Sequence, residues 1–158
     1  MPKVALAYSG SLDTTICVHY LRHVKGMKVY TFSANVGQPE YLEPLAEQAV
    51  ELGATAANLA DLRDRFIKDF VFPSLRADAI YEQRYFLFSA LARPLIVEEL
   101  VQVAEEEGCD FIAHGSRGIG NDALRLDRYI RTLTADFEII APLQELGLKS
   151  PSEDLAYA

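Results

Sequence analysis

The sequence predicts an α/β fold, a parallel five-stranded sheet with helices on both faces. Short apolar runs alternate with stretches whose apolar residues recur at helical spacing, the order that builds parallel sheets with helical crossovers. Two of those runs end in Gly-rich turns that lead straight into a helix. The 158 residues, 50% hydrophobic and 24% charged, fit one globular domain covering 1–158.

The elements follow in order. Val4 to Tyr8 is a continuous apolar run that stops at Ser-Gly-Ser, as a strand buried on both faces would. Ile16, Cys17, Tyr20, Leu21 and Val24 keep a 3.6-residue repeat behind Asp13, Thr14 and Thr15, so a first helix runs to Gly26. Lys28 to Ala34, rich in Val, Tyr, Thr and Phe, is the second strand. Gly37-Gln-Pro39 then opens a helix expected from Glu40 to Leu52 and closed by Gly53. A weaker third strand spans Thr55 to Leu59, and helical stretches follow at Asp61 to Phe70, Pro73 to Glu82 and Ala90 to Glu107. Asp110 to Ala113 is the fourth strand and runs into the loop His114 to Asn121; a helix at Asp122 to Thr132 and a fifth strand at Glu138 to Ala141 come next. Ser152 before Glu153 and Asp154 starts a last helix of about two turns, a marginal length in isolation, so the chain reads as a fragment or truncated domain.

Composition narrows the function. Fifteen basic against 23 acidic residues give a formal charge of -8, which argues against nucleic acid as a partner but not against a small polyphosphate held by backbone N–H groups. Cys17 and Cys109 are far apart and form neither a disulfide framework nor a zinc pattern; both read as buried thiols. The apolar run at the N-terminus is too short for a signal peptide or membrane span, so a cytoplasmic location is expected.

The first loop, Ala7-Tyr8-Ser9-Gly10-Ser11-Leu12-Asp13-Thr14-Thr15, joins a buried strand directly to a helix. Small residues admit an anion to the backbone, and Ser9, Thr14 and Thr15 add hydroxyl donors, which makes a phosphate cradle. A Walker A loop is excluded because the Lys after the last Gly is missing. Asp13 would repel phosphate unless a cation lies between, which assigns it to Mg²⁺. In the second loop, Asn121 offers both a donor and an acceptor, Arg125 can grip a carboxylate, and Arg117 is placed to reach the same acceptor. Tyr85 lies among Tyr81, Phe86 and Phe88, where core packing is the plain alternative. His114 reads as a hydrogen-bonded structural residue, Arg93 as one half of an ion pair, and His19 and His23 as surface residues.

Ser-Gly-Ser-Leu-Asp-Thr-Thr resembles the Ser-Gly-Gly-x-Asp-Ser/Thr signature of the N-type ATP pyrophosphatases, and within them the argininosuccinate synthase family. The resemblance continues at Ala34-Asn-Val-Gly-Gln38, Tyr81-Glu-Gln-Arg-Tyr85, Leu91-Ala-Arg-Pro94, His114-Gly, Gly120-Asn-Asp122 and Arg125, nearly the whole chain. It implies an adenine nucleotide alpha hydrolase-like, Rossmann-like fold and an ATP-dependent ligase of arginine biosynthesis. Such an enzyme adenylates citrulline, releases pyrophosphate and condenses the product with aspartate. ATP would contact Ala7 to Thr15, Ala34 and Gly115; citrulline Tyr85, Asn121 and Arg125; aspartate Arg117, Asn121 and Asp122, with Asp13 and Asp122 as catalytic carboxylates. The family also implies a homo-oligomer, a tetramer formed largely by a later region of the chain.

Three positions depart from the family's pattern: Ser11 and Arg117 stand where it has Gly and Thr, and Ala90 where it has Ser or Thr. At Ser11 a left-handed backbone would be strained, and Arg117 and Ala90 fall at amino-acid contacts. A paralogue with another acceptor is thus one alternative. A non-catalytic module is another, since Gly115-Ser-Arg-Gly-Ile-Gly120 also resembles the loop of universal stress proteins, which lack the Ser-Gly-x-x-Asp loop. The tRNA thiolases and glutamine-dependent synthetases rank behind both, given the acidic charge and the lack of a Cys pair.

Overall fold

A computed structural model describes residues 1–39 and 42–157. Five strands, β1 (Lys3–Ala7), β2 (Lys28–Asn35), β3 (Ala56–Asp61), β4 (Phe111–His114) and β5 (Glu138–Ile140), form one sheet in the order β3-β2-β1-β4-β5. Every pairing is parallel. The helices are α1 (Leu12–His19), α2 (Glu43–Glu51), α3 (Arg63–Phe66), α4 (Phe72–Arg76), α5 (Phe88–Glu106), α6 (Asn121–Leu133), α7 (Pro142–Glu145) and α8 (Pro151–Tyr157). A π-helical turn extends α1 over Tyr20–Val24, and another over Ile67–Val71 joins α3 to α4.

Side chains alternate across the sheet, as the two-residue period of a strand requires. Val4, Leu6, Val29, Ala113 and Ile140 face one layer and pack with Ile16, Cys17, Leu21, Ala49 and Leu143. Ala5, Phe32 and Ile112 face the other, against Leu62, Phe66, Leu95, Leu100, Leu126 and Ile130. Each large side chain fully buried this way contributes about 1.5–3 kcal/mol, which is why the apolar runs become central strands.

The expected elements are present, with corrections at several boundaries. Asp61 ends β3 instead of starting a helix; its Oδ1 accepts the Arg63 backbone N–H at 3.2 Å, so helical turns begin at Arg63. The two helical stretches expected around Phe70 and Pro73 are one continuous segment. Pro73 lacks the N–H for an i→i−4 bond, and the wider π turn before it accommodates the ring. That segment ends at Arg76 rather than Glu82, because Asp78 is left-handed (φ 51°) and Glu82 and Gln83 (φ 50° and 56°) form a tight turn bridged by Tyr81 and Tyr85. The expected start of α2 at Glu40 lies outside the described residues. Cys17 is buried as expected, whereas Cys109 is only partly so.

The C-terminal helix is better secured than its length suggests. Ser150, not Ser152, sits at its start: Glu153 N–H reaches Ser150 Oγ at 3.4 Å, while Glu153 Oε2 accepts the backbone N–H groups of Lys149 (2.5 Å) and Ser150 (3.1 Å). Ser150-Pro-Ser-Glu153 is thus a capping box with Pro at the first helical position.

Candidate functional site

β1 lies where the strand order reverses: the chain leaves it toward β2 on one side and returns on the other as β4. The loops after β1 and β4 therefore part above neighbouring strand ends, with Ala7 paired to His114 at the last rung. Between them opens a cleft of about 1030 Å³, lined by Ala7 to Ser11, Asp13 and Thr14 from the first loop and by His114 to Arg117 and Asp122 from the second. Ala34 and Gln38 wall the β2 side. Gln38 holds that wall, donating to the Ala34 carbonyl at 2.7 Å and accepting the Val36 N–H at 2.8 Å.

Glycine makes the close approach possible. A Cβ on Gly115 would stand 3.0 Å from Thr14 Cγ2 and 3.6 Å from the Thr14 backbone nitrogen. Gly10, at φ +74°, would drive a Cβ to 2.2 Å from Leu45 Cδ2. The left-handed position is Gly10, and Ser11 has an extended backbone (φ −69°, ψ 160°), so its side chain carries none of the strain considered for it.

The hydroxyls of Ser9, Ser11 and Thr14 cluster at the N-terminus of α1. Ser9 Oγ is 2.9 Å from Ser11 Oγ, and Thr14 Oγ1 accepts the Ser9 N–H at 3.3 Å. Together with the first-turn N–H groups, which have no intrahelical acceptor, they form a donor-rich concavity suited to an anion. Tyr8 closes its floor, donating to Gln48 Oε1 at 2.9 Å. Burial raises the Tyr8 pKa, partly countered by a hydrogen bond with Thr15.

His114 is fully buried and uses both ring nitrogens to hold the second loop. Nδ1 accepts the Ser116 N–H at 3.2 Å, so the proton sits on Nε2, which donates to Asp127 Oδ1 at 2.8 Å. This is the structural role expected of it. Arg93 likewise pairs with an acid, Asp122, at 3.1 Å, and Arg125 reaches the same carboxylate at 3.4 Å.

Arg117 differs from its expected placement. Its guanidinium does not meet Asn121 or Asp122; Nη2 binds Asp13 Oδ1 at 2.5 Å and also Asp154 of α8. Asp154 has no exposed surface, and only a cation supplied by the second loop compensates its burial. Burial alone would lower the Arg117 pKa, but the hydrogen bonds and charges of Asp154 and Asp13 outweigh it and hold it above its ordinary value. Beneath them, burial followed by the charges of Asp13 and Asp154 pushes the Cys17 thiol up to about 12.

That arrangement does not fit a magnesium ion held by the protein through Asp13. The carboxylate is already spent on Arg117, and no three His, Cys, Asp or Glu among the described residues are grouped to hold a metal. Of the other expected site residues, Leu12 packs toward the core and Thr15 donates its N–H to the Ser11 carbonyl at 2.9 Å; neither lines the cleft. Tyr85, 45% exposed, stands in the Tyr81 turn, and Asn121 and Arg125 lie on α6 outside the cleft lining. The structure thus brings together the phosphate-side residues and Asp122, but not the three citrulline-side residues. Lys149 and Asp154 were not foreseen; the capping box at Ser150 was the readable sign that this stretch is ordered against the site.

Residues 3–158 match the family profile described as the arginosuccinate synthase N-terminal HUP domain. The chain is 48% identical over 156 residues to the argininosuccinate synthase of Synechococcus sp. (strain CC9605), covering 98% of this chain and 38% of that protein. It is 46% identical to that of Carboxydothermus hydrogenoformans, covering 99% of this chain and 39% of the relative. It therefore spans about two fifths of the length of the relatives it matches. The fold is shared with a crystal structure described as a predicted subunit of tRNA methyltransferase from Methanocaldococcus jannaschii, at TM-score 0.67 and 14% identity over 99% of this chain and 75% of the other.

Proposed function

The chain belongs to the argininosuccinate synthase family, and we propose that it binds ATP in the cleft between the β1–α1 and β4–α6 loops, as the nucleotide half of a citrulline-adenylating ligase. The observation that carries this is the cradle itself: two Gly-containing loops on adjacent strand ends, so close that Gly115 admits no side chain beside Thr14. Phosphates would take the α1 N–H groups and the hydroxyls of Ser9, Ser11 and Thr14, and adenine would lie toward Ala34.

In the proposed reaction the ureido oxygen of citrulline attacks the α-phosphate, pyrophosphate leaves, and the aspartate amine displaces AMP. Transfer at phosphorus depends on positioning and on donors aimed at developing charge. Asp122, held by Arg93 and Arg125, borders the cleft where an acceptor amine would arrive. Magnesium enters this reading only as an ion carried by the phosphate oxygens and water. Tyr85, Asn121 and Arg125 would complete the citrulline side, and they stand apart from the cleft lining.

The test is calorimetric ATP binding together with pyrophosphate release in the presence of citrulline and aspartate. ATP is expected to bind, with little argininosuccinate formed by this chain alone, because its acceptor residues do not converge. Failure to bind ATP overturns the reading. Tight ATP binding with no pyrophosphate release under any acceptor favours a nucleotide-binding module instead.

A further inference from the structure

Asp13 is a carboxylate in the first turn of α1, inside the cradle proposed for phosphate. An unneutralised charge there opposes the ligand, and a divalent ion is the usual remedy. The structure offers a different one. Arg117 Nη2 lies 2.5 Å from Asp13 Oδ1, and the same nitrogen is anchored from behind by the fully buried Asp154. Its Nε–H is buried and has no acceptor among the described residues, so the guanidinium keeps donor capacity after both carboxylates are served. Arg117 itself lines the cleft, and Lys149 adds a second cation there.

We propose that Arg117 is the built-in cation of this site: it neutralises Asp13 and contacts the polyphosphate, so that ATP binds without a divalent metal. The inference rests on the nucleotide reading above and names how its phosphate end is recognised. An arginine is suited to the task because its planar fork can serve a carboxylate on one edge and a phosphate on another. Asp154 positions it, since a guanidinium tethered to a buried acid cannot swing out to solvent. Where Asp13 is released from Arg117, it becomes free to hold a metal, which predicts a metal requirement in variants that the parent lacks.

The experiment is titration of the chain with ATP in magnesium and again in EDTA, with adenosine as the phosphate-free control. The parent is expected to bind ATP within about threefold in the two buffers, and Arg117→Thr to lose about tenfold or more in EDTA, the size of one charge-assisted contact. Magnesium should restore most of that loss, adenosine binding should not change, and Arg117→Lys should retain binding in EDTA within a few-fold. ATP binding by the parent that vanishes in EDTA but persists in magnesium overturns this proposal alone. No binding in either buffer overturns it together with the nucleotide reading. Arg117→Thr binding ATP in EDTA as well as the parent also sinks it. Should that variant not fold, the parent's metal dependence and Arg117→Lys decide.

Discussion

The cradle over β1 and β4 and the segment from Asp78 to Leu87 are built in opposite ways. In the cradle the left-handed position is a glycine, Gly10, the hydroxyls are hydrogen-bonded to one another, and the walls rest on strands with no exposed surface. In the second segment all four left-handed non-glycine residues of the described chain occur together, at Asp78, Glu82, Gln83 and Leu87. Tyr81, Tyr85, Phe86 and Phe88 are exposed around a small apolar cavity of about 290 Å³ bounded by Val71, Leu75 and Leu91. One region is pre-organised for a ligand; the other holds its aromatic groups in backbone geometry that costs energy. Phosphate-side function is therefore readable within this chain, and the Tyr85 side is not.

The largest expected effect tests how the second region is tied to the first. Phe66 is 1% exposed and meets Phe88 edge-on at 5.0 Å and Phe70 at 6.3 Å, joining the strained segment to the core under β2. Phe66→Ala should cost about 3–5 kcal/mol in denaturant unfolding. A loss below about 1 kcal/mol would mean that the segment is anchored elsewhere. Next comes Gly10→Ala, expected to cost about 1–2 kcal/mol from the left-handed backbone and the displaced Leu45, and to weaken ATP binding with it. Unchanged ATP affinity would separate the cradle from Gly10.

A third test uses Cys17 beneath the cradle. Its thiol is raised from 9.0 to about 12, so the folded state keeps a proton that the unfolded state releases. That contribution is complete below pH 9 and disappears as pH rises toward 12, by about 1 kcal/mol per pH unit at the start. Cys17→Ala should flatten the alkaline stability profile; an unchanged slope would assign the loss to other groups. The smallest effect belongs to the second region. Gln83, exposed at φ 56°, follows Glu82 in a turn that favours Asn-Gly, and Gln83→Gly should raise stability by about 0.5–1 kcal/mol. A decrease would mean that the side chain contributes more than the backbone strain removes.

The legible part of the molecule was that written in contiguous residues. All five strands came from apolar runs, because burial on both faces leaves no other composition for a central strand. The phosphate loop was readable from Ser9 to Thr15 for a similar reason: a strand end, small residues and a helix start are consecutive in the chain. The end of the helix at Arg76 was not, since apolar residues at Ala77, Ala79 and Ile80 continue a helical pattern that the left-handed Asp78 breaks. The cap at Ser150 was readable but assigned two residues too late.

By itself, then, the sequence determined the α/β class, the strand order of events along the chain and the residues that surround the phosphate cradle. Which acid Arg117 serves was decided only by the tertiary structure, because Asp13 and Asp154 lie 104 and 37 residues from it and meet it across three separate elements. Charge pairing inside a protein depends on distance and burial, and neither is encoded in the spacing of residues along the chain.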